Sequence, residues 1–359
     1  MNHHVLLSYF PKITPQRYQT MITYFKTVKK LWNAEIVELT EAGLPENVAH
    51  EFLAWRDTLS SKRIEENLEK EGIKTTSLDE EDYPKLLKQI TDPPLTLFYK
   101  GKLPPENRPK LAVIGTRKHS AYAKQACEEL TEELSCQGLI IVSGLAFGID
   151  GIAHKSTLKT KGITLAVLGS GIDEKSISPQ SHLGLARDII QHSGAVISEY
   201  PPGTPGSKYT FPARNRIVAG MSLGTLVIEA PERSGSLITT RLALECNREV
   251  FAVPHPINTK LGVGNNALLK MGATLTTCAD DVLDELNLTS LKTEEDKKDI
   301  SLPPNQKLIF NTLSREPKNI EFIIKESSLP SQQVISELTL MEMKGIVKHS
   351  GGMNYIIHN

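Results

Sequence analysis

The stretch Gly194–Ala230, GAVISEYPPGTPGSKYTFPARNRIVAGMSLGTLVIEA, decides the fold class. It opens and closes on apolar runs, AVIS at Ala195–Ser198 and TLVIEA at Thr225–Ala230. Near-continuous apolar runs of this length suit strands of a parallel sheet whose two faces are both covered. Between them lies a loop that no packing argument requires. Pro201, Pro202, Gly203, Pro205 and Gly206 stiffen its backbone. Lys208, Tyr209, Phe211, Arg214 and Arg216 then crowd cations and rings into nine residues. A stiff loop at a strand end with that side-chain set suits a ligand that is both anionic and flat. Nucleic acid is the first candidate, because a base offers a π-face and a phosphate offers a charge. The competing reading plugs Phe211 and Tyr209 into the core and pairs the arginines with Glu199 and Glu229, and the stretch alone leaves both open.

The pattern continues outward on both sides. Further strands are expected at Lys110–Gly115, Leu139–Gly144, Ile163–Gly171 and Glu249–Pro254, with a last one at Ala273–Thr277. Helical stretches fall between most of them, as at Ala121–Gln137, where Cys127, Leu130 and Leu134 share a face and Gly138 supplies the stop. Strand–helix alternation of this length predicts an α/β doubly wound parallel sheet. Ligands of such sheets sit beyond the carboxyl ends of the strands. Upstream, residues 1–71 read as a helical domain, with short turns PKITPQR and EAGLPEN in front of helices. Its layout is similar to paired helices of the helix–hairpin–helix or SAM-like kind. Lys12, Thr14 and Pro15 occupy the first turn where a DNA-gripping version uses glycines, so a packing role is expected there. The second domain is placed at 72–287, its first residues forming a connection that ends in the strand LTLFYKG. Residues 288–304 are polar and charged and read as a linker. Residues 305–359 read as three short helices and a hairpin turning at Gly351–Gly352, the winged-helix pattern. Its third helix, Ser331–Lys344, sets one lysine against Glu337 and Glu342, a poor composition for reading duplex DNA.

Composition narrows the function classes. The chain has 359 residues, with 41 Lys plus Arg against 42 Asp plus Glu and a formal net charge of −1. That balance argues against a generally basic nucleic-acid coat and against membrane adhesion, so any anion site must be a local patch. No apolar run approaches the roughly 18 residues of a membrane span, and the N-terminus lacks a signal-peptide pattern. Cys127, Cys136, Cys246 and Cys278 show no CxxC spacing. A cytoplasmic protein with reduced thiols and no zinc site is expected.

Several strand ends carry small-residue loops. GTRKHS offers Gly115 for the turn, Thr116 or Ser120 as a helix cap, and Arg117 near a helix start that attracts anions. SGLAFGIDGIAH begins with Ser143 and Gly144, and its glycines permit close backbone approach. Asp150 and His154 lie four apart on the next helix, within hydrogen-bonding reach; an acid–base pair is one reading, and with no nucleophile nearby a structural pair is the expected one. In PERSGSLITTR, Ser234 and Ser236 suit helix caps and Gly235 opens a nest of N–H groups for an anion. No GxxxxGK[ST], GxSxG or HExxH is present, and carboxylates do not cluster in metal-ligand spacing, so no catalytic set, metal or cofactor is expected.

Together VIGTRKHS, SGLAFGIDGIAH, TLAVLGSGID, ISEYPPGTPGSKYTFPARNRIVAG, LVIEAPERSGSLITTRLALECNREVFAVP and GVGNNALLKMGA resemble the DNA-processing protein A family (DprA, also called Smf). The resemblance implies a Rossmann-like central domain and a protein that is not an enzyme. It implies binding of single-stranded DNA, protection of incoming strands in natural transformation, loading of RecA recombinase, and a homodimer joined through the central domain. The family's DNA pocket matches Arg117, Lys208 and Phe211 here, with Arg214, Asn215 and Arg216 completing FPARNR. Gly115, Thr116, Ser143, Gly144, Gly235 and Ser236 are the remaining candidate contacts. One segment departs from the pattern: many relatives carry YPxxN after GSGID, and this chain has EKSISPQSH at Glu174–His182. The alternative reading is a nucleotide-handling, lysine-decarboxylase-like phosphoribohydrolase. Its PGGxGTxxE loop places a carboxylate where this chain has basic residues.

Overall fold

The apolar runs of the central region become strands, and the five that fall between Lys110 and Val227 are buried along their whole length. In the computed structural model, which describes residues 2–288, 303–313, 317–343 and 346–357, these strands form one nine-stranded sheet. They are β1 (Lys74–Ser77), β2 (Thr96–Gly101), β3 (Lys110–Ile114), β4 (Ile140–Ser143), β5 (Thr164–Leu168), β6 (Ala195–Ser198), β7 (Gly224–Val227), β8 (Glu249–Ala252) and β9 (Thr274–Leu275). The spatial order is β1-β2-β6-β5-β4-β3-β7-β8-β9. From β6 to β9 all neighbours run parallel. The sequence pattern did not mark β1, which lies in the stretch read as a connection. It pairs antiparallel with β2, and β2 pairs antiparallel with β6, so one edge of the sheet is mixed. KTTS is short and polar, which hides a strand from a hydrophobicity reading.

The order explains where a ligand belongs. From β3 the chain winds outward through β4, β5 and β6, then returns to lay β7 on the other side of β3. Direction therefore reverses between β3 and β7, and the loops leaving their carboxyl ends diverge there to open a crevice. Helices cover both faces. Ile114, Val142, Val167, Ile197 and Val227 face one core with Ile217 and Met221. Leu111, Val113, Ile141 and Ile228 face the other with Cys127, Leu130 and Leu134. The helix expected at Ala121–Gln137 spans Ala121–Cys136, and Ser120 Oγ caps it by accepting the Ala123 N–H.

The backbone divides into two compact units, residues 1–291 and 292–359. The helices expected over 1–71 form their own cluster around Leu7, Phe10, Met21, Leu39 and Phe52. They also share a second cluster with the sheet, in which Val5, Leu6, Ile64 and Leu68 meet Phe98, Leu168 and Val196. Packing therefore continues across the boundary at 71–72. The first turn is built as a helix start, with Thr14 Oγ1 accepting the Arg17 N–H and Pro15 at the first helical position.

In the second unit, helices Pro304–Thr312, Ile320–Ser327 and Ser331–Met343 pack around Ile309, Ile323, Val334 and Leu338. Strands Val347–Gly351 and Asn354–Ile357 form the hairpin, with Lys318–Asn319 added beside the latter. The turn falls one residue later than expected, at Gly352–Met353, both with positive φ. Gly351 instead belongs to the strand, next to a register shift. The linker expected at 288–304 lies outside the described residues except for Leu288, Pro303 and Pro304, as does Lys344.

Candidate nucleic-acid interface

A cleft of about 340 Å³ opens where the strand order reverses, lined from the loops after β3, β4 and β7 and from helix Thr210–Gly220. Phe211 sits in the first turn of that helix. Ser207 sets the helix start, because its Oγ accepts the N–H groups of Tyr209 (3.3 Å) and Thr210 (3.2 Å). The preceding loop is fastened to the β5 loop by Gly171 N–H to Thr204 O (2.8 Å) and by Gly203 N–H to Asp173 Oδ1 (2.6 Å). The Phe211 ring is half-buried. It rests where glycines leave room: a Cβ on Gly206 would lie 2.7 Å from its Cζ, and one on Gly169 2.9 Å from its Cδ1. The Arg117 guanidinium carbon lies over the ring, 5.9 Å from its centroid.

Arg117 is exposed and makes no hydrogen bond or ion pair among the described residues. Its loop, with Gly115 and Thr116 lining the cleft, is held from β7: Thr116 N–H donates to Glu229 O at 2.7 Å. Lys208 is also exposed and without an ion pair among the described residues. It does not line the cleft. Its Nζ lies 5.1 Å from the ring centroid of Tyr209, a side chain that is 74% exposed.

Two expected phosphate contacts are spent elsewhere. Arg214 is buried under the cleft floor, where its Nη1 donates to Gly144 O (2.5 Å) and to Val167 O. Its guanidinium occupies the space that a Cβ on Gly144 would need, which is why residue 144 carries no side chain. Arg216 is buried on the other side of the helix in a three-way ion pair. Its Nη1 and Nη2 reach Glu199 at 2.8 and 2.6 Å, and its Nε reaches Asp92 Oδ2 at 2.9 Å. The Glu199 pairing is the one that the competing reading of the stretch named. Glu229 pairs with no arginine: its buried carboxylate accepts from Ser120. Asn215 stays at the cleft, half-buried. Ser143 and Gly144 are buried and occupied: Ser143 Oγ donates to Val113 O at 2.6 Å, and Gly144 N–H donates to Asp150.

Asp150 and His154 do not pair. The Asp150 carboxylate accepts the Gly144 N–H (3.0 Å) and Ala146 N–H (3.4 Å). Burial pushes its pKa up, and Arg214 opposes that. His154 Nδ1 instead meets Thr164 Oγ1 at 2.7 Å. Burial, helped by the charges of His182 and Arg214, pushes the His154 pKa down to about 3. The folded chain thus keeps His154 neutral where an unfolded chain protonates it near 6.5. Between those values the unfolded state binds the extra proton, so this group makes stability fall as pH falls. His154→Gln should flatten urea-unfolding midpoints between pH 6.5 and about 3; an unchanged pH profile would refute the assignment.

The sequence reading passed over Arg233. It lines the cleft directly before the cap of helix Gly235–Glu245 and is exposed, with no ion pair among the described residues. Gly235 and Ser236 line the same wall, and Ser234 Oγ accepts the Ser236 N–H at 3.2 Å. A cation beside a helix N-terminus was the available signal. The divergent segment Glu174–His182 is anchored by other means. Gln180 Nε2 donates to three carbonyls of the segment, and His182 Nδ1 lies 2.9 Å from Leu145 O while its ring meets Phe147. Among the described residues no group of three metal-ligating side chains occurs.

Residues 74–287 match the model of the family described as DNA recombination-mediator protein A. The chain belongs to that family. Protein Smf of Escherichia coli K12 is 36% identical over 337 residues, covering 90% of this chain and 88% of Smf. The DNA processing protein DprA of Bacillus subtilis is 42% identical over 217 residues, covering 60% of this chain and 72% of its own. Among solved structures, DNA processing protein A of Streptococcus pneumoniae superposes with a TM-score of 0.68 at 34% identity, covering 79% of this chain and 98% of that one. The Helicobacter pylori protein, described for its single-stranded DNA binding mode, superposes with a TM-score of 0.52 at 30% identity, covering 60% and 95%. The nine-stranded sheet described above is Rossmann-like. No helix among the described residues is long and apolar enough to cross a membrane.

Proposed function

We propose that this chain binds single-stranded DNA across the cleft. Phe211 stacks a base, and Arg117, Lys208 and Arg233 hold phosphates, with Gly235 and Ser236 contributing the helix start. One observation carries the reading: a half-open ring lies under a guanidinium that no carboxylate claims. Stacking ignores base identity, which suits a general strand binder. The Helicobacter pylori relative's single-strand binding supports the same assignment. Asp150, the one carboxylate lining the cleft among the described residues, already accepts two backbone N–H groups, so it is a weak candidate for acid–base work on a glycosidic bond. On this proposal the protein acts by binding, without catalysis or cofactor. Loading of RecA recombinase onto the bound strand, a homodimer through the Rossmann-like region and a cytoplasmic location extend the proposal. They rest on membership of a recombination-mediator family.

The test is affinity for an oligo-dT strand and for a duplex of equal length, across salt. With about three phosphates neutralised, log affinity should fall against log salt with a slope of about −2. The strand should bind more tightly than the duplex at every salt concentration. Equal or stronger duplex binding, or a flat salt response, would overturn the proposal.

A further inference from the structure

The side chain of Arg117 has no anchor of its own, so its position is set by the loop that carries it. That loop is held at both ends by a single residue. The Glu229 main-chain oxygen accepts the Thr116 N–H at 2.7 Å, just before Arg117. The Glu229 carboxylate then takes the far end: Oε2 accepts the Ser120 N–H at 2.8 Å and Oε1 accepts Ser120 Oγ–H at 2.7 Å. Residues 117–119 are thereby bracketed between two grips from the carboxyl end of β7. Glu229 is fully buried, with 0% exposure. From the β8 side, His255 closes over it, with Nε2 3.4 Å from Oε1 and Nδ1 3.0 Å from Val253 O. A buried carboxylate that spends both oxygens on one short loop is an expensive device for packing alone.

We propose that Glu229 is a positioning residue of the strand site: it acts through Arg117 by fixing the loop that holds this cation over Phe211. The proposal rests on the strand-binding reading above. It also gives the reversal point of the sheet a specific task. The loops that leave the paired strands β3 and β7 at their carboxyl ends are joined there by this one residue.

The test is a double-mutant cycle on the full chain with an oligo-dT strand, combining Glu229→Gln with Arg117→Ala. Glu229→Gln keeps the shape, removes the charge and leaves one donor facing Ser120. Alone it should weaken binding by about tenfold, the size of one charge-assisted hydrogen bond. It should also flatten the salt slope by about 0.7, one contact's share. In the Arg117→Ala background it should change neither quantity, because the cation it places is gone. Ser120→Ala, which removes only the hydroxyl grip, should act in the same direction more weakly and carries the same cycle if Glu229→Gln does not fold. Additive losses, or an unchanged slope in the single variants, overturn the positioning role. A wild-type protein without salt-dependent strand binding overturns the underlying reading instead, so the two failures are told apart.

Discussion

Phe211→Ala is expected to weaken oligo-dT binding by roughly 5- to 150-fold, the equivalent of one stacked base at about 1–3 kcal/mol. The salt slope should stay where it is, because the ring neutralises no phosphate. Lys208→Ala should show the reverse: a smaller loss of affinity and a slope flatter by about 0.7. The two signatures differ because a stacking contact is local and short-ranged, whereas a phosphate contact releases counterions. Arg117 stands between these cases. It lies 5.9 Å from the Phe211 centroid, so its loss removes a phosphate contact and also the cation over the ring. Phe211→Ala and Arg117→Ala should therefore fall short of additivity when combined. Fluorescence anisotropy across a salt series reads all of these at once. Unchanged affinity in both Phe211→Ala and Lys208→Ala would move the strand site elsewhere on the molecule.

Arg216→Ala is expected to be the most damaging single change to stability, by about 3–5 kcal/mol in urea unfolding. The side chain is 8% exposed, and its removal strands two acidic partners: Glu199 at 13% and Asp92 at 30%. Burial alone would lower the pKa of this guanidinium, but Glu199, with Asp92 behind it, raises it further than burial lowers it. The cation is therefore held by its carboxylates, and they by it. Strand binding by whatever fraction folds should keep the wild-type salt slope, since Arg216 faces away from the cleft. A loss below about 1 kcal/mol would show the cluster to be screened like a surface pair. A flatter slope would return Arg216 to the binding site.

The two predictions separate arginines that look alike in the sequence. FPARNR presents Arg214 and Arg216 two residues apart, both beside a ring and a lysine. A helix turns by 100° per residue, so residues two apart point to nearly opposite sides. Arg214 therefore goes down through the floor to Gly144 and Val167, and Arg216 goes out to Glu199 and Asp92. The linear reading offered Glu199 and Glu229 as partners without being able to assign them, and the family resemblance placed both arginines at the strand site; of those pairings only Arg216 with Glu199 forms. The remaining acceptors come from residues 92, 144 and 167, which lie far from the loop in sequence. Arg233 was passed over for the converse reason. It lies in a loop quoted for its serines, and only the return of β7 beside β3 brings it to the cleft.

What the sequence by itself determined is local. Apolar runs of four or five residues set six of the seven parallel strands, all but the two-residue β9. Stop and cap residues such as Ser120 and Gly138 set helix ends. Each of these depends on neighbours within a turn or two of chain, where periodicity and backbone preference act directly. Only the tertiary structure decided which cations are free. A charge becomes available or spent according to whether a carboxylate or carbonyl reaches it, and at this site those partners arrive from other strands. The antiparallel edge at β1, the separation of Asp150 from His154 and the grip of Glu229 on Ser120 belong to the same class, since each is a contact between segments that meet only once the sheet has closed.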